Sequence, residues 1–130
     1  MSHRPRKRFG QNFLIDRAIA ARIVAAVAPQ PGDRLVEIGP GAGALTALLL
    51  ERVPRLTAVE IDRDLCAALA ARFDAARLAL HQCDALGFDF GALSVQLHGP
   101  LRVIGNLPYN ISTPLLFHLA GFAQHCTDLH

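Results

Sequence analysis

Asn106-Leu107-Pro108-Tyr109, preceded by Gly105 and followed by Asn110, is a segment able to present an amine to an electrophile. The Asn106 side-chain oxygen and a nearby backbone carbonyl can accept the two N–H bonds of an exocyclic amine on a base. That directs its lone pair along a chosen axis, as an in-line displacement on a sulfonium methyl requires. Tyr109, the sole tyrosine, offers a face for stacking, typically ~1–3 kcal/mol per base. Pro108 stiffens the turn and brings no N–H to compete for the carbonyl before it. The amine becomes far more acidic as it is alkylated, so water suffices to remove the proton and no histidine base is needed. His81, His98, His118, His125 and His130 show neither metal spacing nor a nucleophile partner, and no metal site is expected.

A second chemical element is Glu37-Ile38-Gly39-Pro40-Gly41-Ala42-Gly43. Glycines between a strand and a helix let the backbone turn sharply and bring main-chain N–H groups against a ligand. Glu60, about twenty residues on, is placed to accept both hydroxyl protons of a ribose. Gly39, Gly41 and Glu60 thus outline a nucleoside crevice, suited to a nicotinamide dinucleotide as well as to S-adenosylmethionine. Asp84 can accept from an adenine amino group or simply cap a turn. Glu37 can face the ligand or hold the loop from behind.

Positioning these groups requires alternating strands and helices. Ile19, Ile23, Val24 and Val27 fall at helical spacing after Asp16, and Pro29 to Asp33 ends that helix. Strands are expected at Arg34–Ile38, Leu56–Ile61, Leu78–Gln82 and Leu101–Gly105, with helices at Ala44–Val53 and Arg63–Phe73. Gly87 to Gly99 reads as irregular with at most one helical turn, and Thr113–Ala123 as a closing helix. The alternation implies right-handed crossovers and an α/β, doubly wound, mainly parallel sheet. Four strands are expected, and the apolar fourth would have an outer edge inviting another strand or another molecule. The pattern therefore reads as incomplete, cut short inside its domain.

Composition narrows the class. Apolar residues make up 52% and charged residues 18%, the balance of a folded domain. There is no apolar run of membrane length and no secretory signal pattern, so a cytoplasmic protein away from membranes is expected. Cys66, Cys83 and Cys126 are widely separated and odd in number, which points to ordinary reduced thiols. Residues 1–22 carry six basic residues against Asp16 alone, although the whole chain has a formal charge of only +2. Arg4, Arg6, Lys7 and Arg8 could therefore touch a polyanion, or form a solvated tail.

Three stretches taken together carry a resemblance: Lys7-Arg8-Phe9-Gly10-Gln11-Asn12-Phe13-Leu14, Glu37-Ile38-Gly39-Pro40-Gly41, and Asn106 through His118. They resemble the ribosomal RNA adenine N6,N6-dimethyltransferase family. The run Asn110–His118 looks closer to its bacterial small-subunit branch than to the large-subunit resistance methylases. The resemblance implies a Rossmann-like class I S-adenosylmethionine methyltransferase fold. It implies cofactor contacts from Asn12, Leu14, Gly39, Gly41, Glu60, Asp84 and Asn106, with Asn106, Leu107, Pro108 and Tyr109 around the target adenine. Residues 1–15 would be a basic arm and cofactor lid, and 16–130 the N-terminal portion of the catalytic domain. The implied reaction dimethylates two adjacent adenines in a hairpin near the 3′ end of 16S ribosomal RNA, on the pre-30S particle during subunit maturation. Family members continue through further strands and a C-terminal helical domain, so activity is expected of the longer protein. A nicotinamide oxidoreductase would share the glycine turn but leave Asn106–Tyr109 unexplained. A non-catalytic RNA-binding module is the third reading.

Overall fold

A computed structural model describes residues 17–105, 114–115, 118–122 and 125–130. Helix α1 (Arg17–Val27) is followed by β1 (Leu35–Ile38), α2 (Ala44–Leu50), β2 (Leu56–Glu60), α3 (Arg63–Arg72) and β3 (Leu78–Gln82). A single 3-10 turn (Ala85–Gly87), α4 (Phe90–Leu97), β4 (Leu101–Gly105) and β5 (Cys126–Leu129) complete the order, with residues 114–115 and 118–120 also helical. The strands form one sheet in the order β3-β2-β1-β4-β5, every neighbouring pair parallel. The reversal of direction at β1 opens a crevice beyond the carboxyl ends of β1 and β4.

Period-two alternation assigns strand residues to two cores. Leu35, Leu56, Ala58, Leu78 and Ile104 pack with α1, α2 and α3 through Ala20, Val24, Leu45, Leu49 and Leu69. Val36, Ile38, Val59, Leu101 and Val103 pack on the opposite face with Phe90 and Leu93 of α4 and with Leu115 and Leu119. Both faces are covered, which is why β1 and β2 are buried at every position. In α1 it is Ala20 that is fully buried, while Ile19 stays 43% exposed. The helix is thus rotated slightly from the face its larger apolar residues suggest.

Two expectations need correction. Helix α4 runs eight residues through a stretch expected to be irregular. Gly91 and Ser94 weaken its intrinsic propensity. The Asp89 side chain nevertheless accepts from Ala92 N–H at 2.9 Å, and Phe90 is completely buried, so capping and packing decide the helix. The sheet also has five strands rather than four. Cys-Thr-Asp-Leu carries little strand signal, yet β5 lies parallel along the outer edge of β4. Gly105 N–H donates to His130 O and His130 N–H to Val103 O, each at 2.8 Å, so β4 is an interior strand. The association through an exposed fourth strand that the sequence suggested has no free edge to use.

At the opposite end from the crevice, three arginines stop helix C-termini, whose last carbonyls lack intrahelical donors. Arg77 donates to Leu50 O, Val53 O and Pro54 O beyond α2. Arg34 donates to Leu97 O at 2.9 Å and His98 O at 3.1 Å beyond α4. Arg102 donates to Val27 O at the end of α1, at 2.7 Å. The Arg34 guanidinium lies flat over Gly99, where an added Cβ would come 2.4 Å from Cζ. Gly99→Ala is therefore expected to push Arg34 off both carbonyls and lower stability by about 1–2 kcal/mol. Urea unfolding of Gly99→Ala, Arg34→Ala and the double variant checks this. Once Arg34 is gone, the alanine should cost little more.

Candidate nucleotide-binding site at the carboxyl ends of the strands

Glycine builds the turn after β1. Gly39, Gly41 and Gly43 have φ of 66°, 58° and 91°, a region that residues with a Cβ seldom adopt. Gly43 has a second reason to be glycine: a Cβ there would meet Arg72 and Leu69 side-chain atoms at 3.1 Å and Phe73 at 3.3 Å. α2 can start beside α3 because that space is empty. The turn is tied down by Gly39 N–H donating to Val59 O at 2.8 Å and by Arg72 donating to Ala42 O at 2.9 Å.

The same alternation that sorts the core puts Glu37 and Glu60 on the α2 side of the sheet, at the ends of adjacent strands. Glu60 is 5% exposed. Its Oε1 accepts from Gly41 N–H at 3.1 Å and its Oε2 from Asp62 N–H at 3.0 Å. These two bonds fix the carboxylate against the glycine turn. A carboxylate has about four acceptor positions, so two remain for a ribose diol. The expected pairing of Gly41 with Glu60 is thus direct contact rather than proximity.

The Glu60 carbonyl is itself held between the next two elements. Cys83 N–H donates to it at 3.1 Å and Cys66 Sγ lies 3.4 Å away. Burial pushes the Cys66 thiol up to about 11, with Glu60 and Asp62 adding to the rise. Burial raises Cys83 too, followed by the charge of Asp84. Thiols held above their ordinary range stay protonated and unreactive. Cys66, Cys83 and Cys126 are all free, as expected.

Glu37 takes the second of its two expected roles. It is 2% exposed, and its Oε1 accepts the Thr46 hydroxyl at 2.6 Å, bracing β1 against α2 behind the turn. Burial pushes its carboxyl up to about 7; the Thr46 hydrogen bond opposes this and the charge of Glu60 adds to it. Thr46, a polar residue inside the apolar run Ala44–Leu50, was the available sequence signal for this pairing.

Asp84 is exposed beyond β3, and its Oδ1 accepts from Leu86 N–H at 2.9 Å. The turn-capping role is therefore realised, at the end of the sheet where Glu60 closes β2. Two apolar residues that the sequence reading passed over also stand there. Ile61 follows Glu60 and is 44% exposed, and Leu86 follows Asp84 and is 40% exposed. Large aliphatic side chains left open beside a polar crevice suit the faces of a planar base. Asn12, Leu14, Asn106, Leu107, Pro108 and Tyr109 lie outside the described residues, as do Arg4, Arg6, Lys7 and Arg8. The chain leaves β4 at Gly105, which pairs with Ile38, so the segment beginning at Asn106 starts from the same end of the sheet.

Two of the described histidines have structural roles. His118 Nε2 lies 2.8 Å from Phe88 O, and its ring packs edge-on against Phe90 and Phe122. His98 terminates α4 with φ 65°. Among the described residues no group of three or more His, Cys, Asp or Glu side chains could hold a metal ion, and no helix is long and apolar enough to cross a membrane.

Residues 2–128 match the family model described as ribosomal RNA adenine dimethylase. The Ribosomal RNA small subunit methyltransferase A of Laribacter hongkongensis is 62% identical over 128 residues, covering 98% of this chain and 48% of that protein. The chain thus spans about half the length of the curated relatives it matches. Among solved structures, the 23S rRNA methyltransferase ErmE superposes with a TM-score of 0.72 at 27% identity, over 90% of this chain and 45% of its own. A dimethyladenosine transferase from Plasmodium falciparum does so with 0.67 at 26%, over 82% and 37%. The fold is the class I methyltransferase fold, and the chain belongs to the ribosomal RNA adenine dimethylase family.

Proposed function

We propose that this chain is the cofactor-binding part of an enzyme that carries methyl groups from S-adenosylmethionine to N6 of two adjacent adenines. The substrate is a hairpin near the 3′ end of small-subunit ribosomal RNA, met on the pre-30S particle in the cytoplasm. The observation that carries the reading is the clasp between Glu60 Oε1 and Gly41 N–H, in a chain of this family. It joins a ribose acceptor to a glycine turn whose missing side chains leave room for a ligand against the main chain.

The residues present fit the cofactor. Glu60 retains acceptor positions for the ribose hydroxyls, Ile61 and Leu86 offer apolar contact to the adenine faces, and Asp84 reaches the adenine amino edge. Gly39 and Gly41 give main-chain approach, and Asn12 and Leu14 close over the site from the basic arm. When bound, the cofactor supplies an electrophilic methyl on a cationic sulfur. Asn106 and the carbonyl of Leu107 hold the amine protons of the target adenine, Pro108 keeps that carbonyl clear, and Tyr109 stacks on the base. Arg4, Arg6, Lys7 and Arg8 contact RNA phosphates, so neutralising them should flatten the salt dependence of RNA affinity.

The test is a calorimetric titration of the chain with S-adenosylmethionine and, separately, with a nicotinamide dinucleotide, followed by transfer of labelled methyl to a small-subunit hairpin RNA. Saturable one-site binding of S-adenosylmethionine alone supports the reading. Preference for the dinucleotide would overturn it.

A further inference from the structure

Charge is divided between the two ends of the sheet. The carboxyl end carries Glu37, Glu60, Asp62, Asp64, Asp84 and Asp89, with Arg63 and Arg72 beside them. The amino end, where the strands begin, carries Arg34, Arg52, Arg55, Arg77 and Arg102. Histidine aside, every cation among the described residues is arginine, whose planar fork matches a phosphate. A polyanion is therefore repelled from one end of the sheet and drawn to the other.

At the amino end, Arg102 is closed in by Asp33 and Asp128, and Arg34 lies against the end of α4. The loop between α2 and β2 differs. Arg52 and Arg55 are exposed there, and among the described residues neither makes an ion pair. The neighbouring carboxylate, Glu51, faces Arg17 of α1 at 3.9 Å instead. Asp74, in the turn before β3, accepts from Ala76 N–H at 2.9 Å. Four arginines (Arg17, Arg52, Arg55 and Arg77) thus stand around this loop against two acids.

The loop is also held still. Val53 is 2% exposed, and its N–H donates to Leu49 O at 3.0 Å. Arg77 donates to Leu50 O, Val53 O and Pro54 O, so its guanidinium is fixed against the same five-residue stretch. Leu56 and Leu78 are register partners, which sets Arg55 and Arg77, one step earlier, about 4.8 Å apart at the backbone. Cations presented from a pinned loop lose less freedom on binding than cations on a free tail.

We propose that Arg52 and Arg55, backed by Arg77, form a phosphate-contacting surface for duplex RNA at the end of the sheet opposite the crevice. The inference takes RNA as the partner from the reading above and is independent of the cofactor. Five-residue strands separate the two ends by about 16 Å. An RNA whose target base enters the crevice reaches this surface only through a helix flanking that base. The contact is backbone charge alone, so it adds grip and carries no sequence preference.

The test is binding of the full chain, without cofactor, to a duplex RNA between about 50 and 200 mM salt. Arg52→Gln and Arg55→Gln should each lower the slope of log affinity against log salt by about 1 and weaken binding about fivefold at 100 mM. Arg63→Gln removes the same charge at the opposite end and should leave the slope as it is. Thermal melts of all three variants should match the parent, since these side chains are exposed. Unchanged slopes in Arg52→Gln and Arg55→Gln overturn the proposal. So does an equal fall in Arg63→Gln, which would mean that net charge alone matters. Vesicles containing phosphatidylserine are the second probe; dependence on Arg52 and Arg55 with vesicles but not with RNA overturns RNA as the partner. Each of these failures leaves the cofactor crevice untouched, because the cofactor titration is a separate measurement.

Discussion

Replacing Arg102 by alanine is expected to cost about 3 kcal/mol of stability, because it strips three partners of their donor at once. Arg102 donates to Asp33 Oδ2 at 2.8 Å, to both oxygens of Asp128 at 2.8–3.1 Å and to Val27 O at 2.7 Å. A single guanidinium thus joins α1, the turn before β1, β4 and β5. With 17% of its side chain exposed, it is shielded enough for the loss to exceed that of a surface ion pair. The variant should also loosen β5, whose Asp128 would keep only His130 of its partners here, at 2.6 Å. Denaturant unfolding measures the first effect and amide hydrogen exchange at Gly105 and His130 the second. Unfolding within 0.5 kcal/mol of the parent would show that β5 is held by its ladder alone.

The same cluster fixes a pH dependence. At Asp128 the Arg102 hydrogen bonds outweigh burial and hold the carboxyl below 3.8. At Asp33 burial pushes upward, but the Gln30 N–H and Arg102 together bring it below 3.8 as well. A carboxyl lowered in the folded state adds stability above its unfolded value, and that stability is lost as pH falls through the folded value. This contribution is therefore whole at neutral pH and disappears below about pH 4. The acid limb of the stability profile should be shallower in Arg102→Ala.

Glu60→Ala should weaken S-adenosylmethionine binding about 100-fold, the equivalent of losing roughly two charge-assisted hydrogen bonds of about 1.5 kcal/mol each. The substitution removes the ribose acceptor and also frees Gly41 N–H and Asp62 N–H. The helix behind it should survive, because Asp62 caps α3 independently, accepting from Asp64 N–H at 2.8 Å and Leu65 N–H at 3.0 Å. Calorimetric affinity beside a thermal melt separates the two consequences. Glu60→Gln, which keeps one oxygen acceptor, should fall between the parent and the alanine variant. A loss of affinity matched by a collapse of the melt would mean that Glu60 organises the turn rather than contacts the ligand.

Local chemistry was legible wherever it depends on backbone type or strand period. Gly39, Gly41 and Gly43 mark a turn that only positive φ can make, and Pro29 to Asp33 marks a helix end. The apolar runs of β1, β2 and β4 announce strands buried on both faces. Glu60 could be placed from its spacing alone, because a βαβ unit has a narrow range of lengths. Tertiary structure decided what depends on partners distant in the chain. β5 is a strand because β4 offers it a ladder and Arg102 a counter-charge, neither visible in Cys126–Leu129. α4 is a helix because Phe90 has a core to enter. Glu37 braces β1 against α2 because Thr46, nine residues on, comes within 2.6 Å once α2 packs on β1. A residue's backbone preference is written in its own side chain; its charge state and its partner are set by whatever the fold brings beside it.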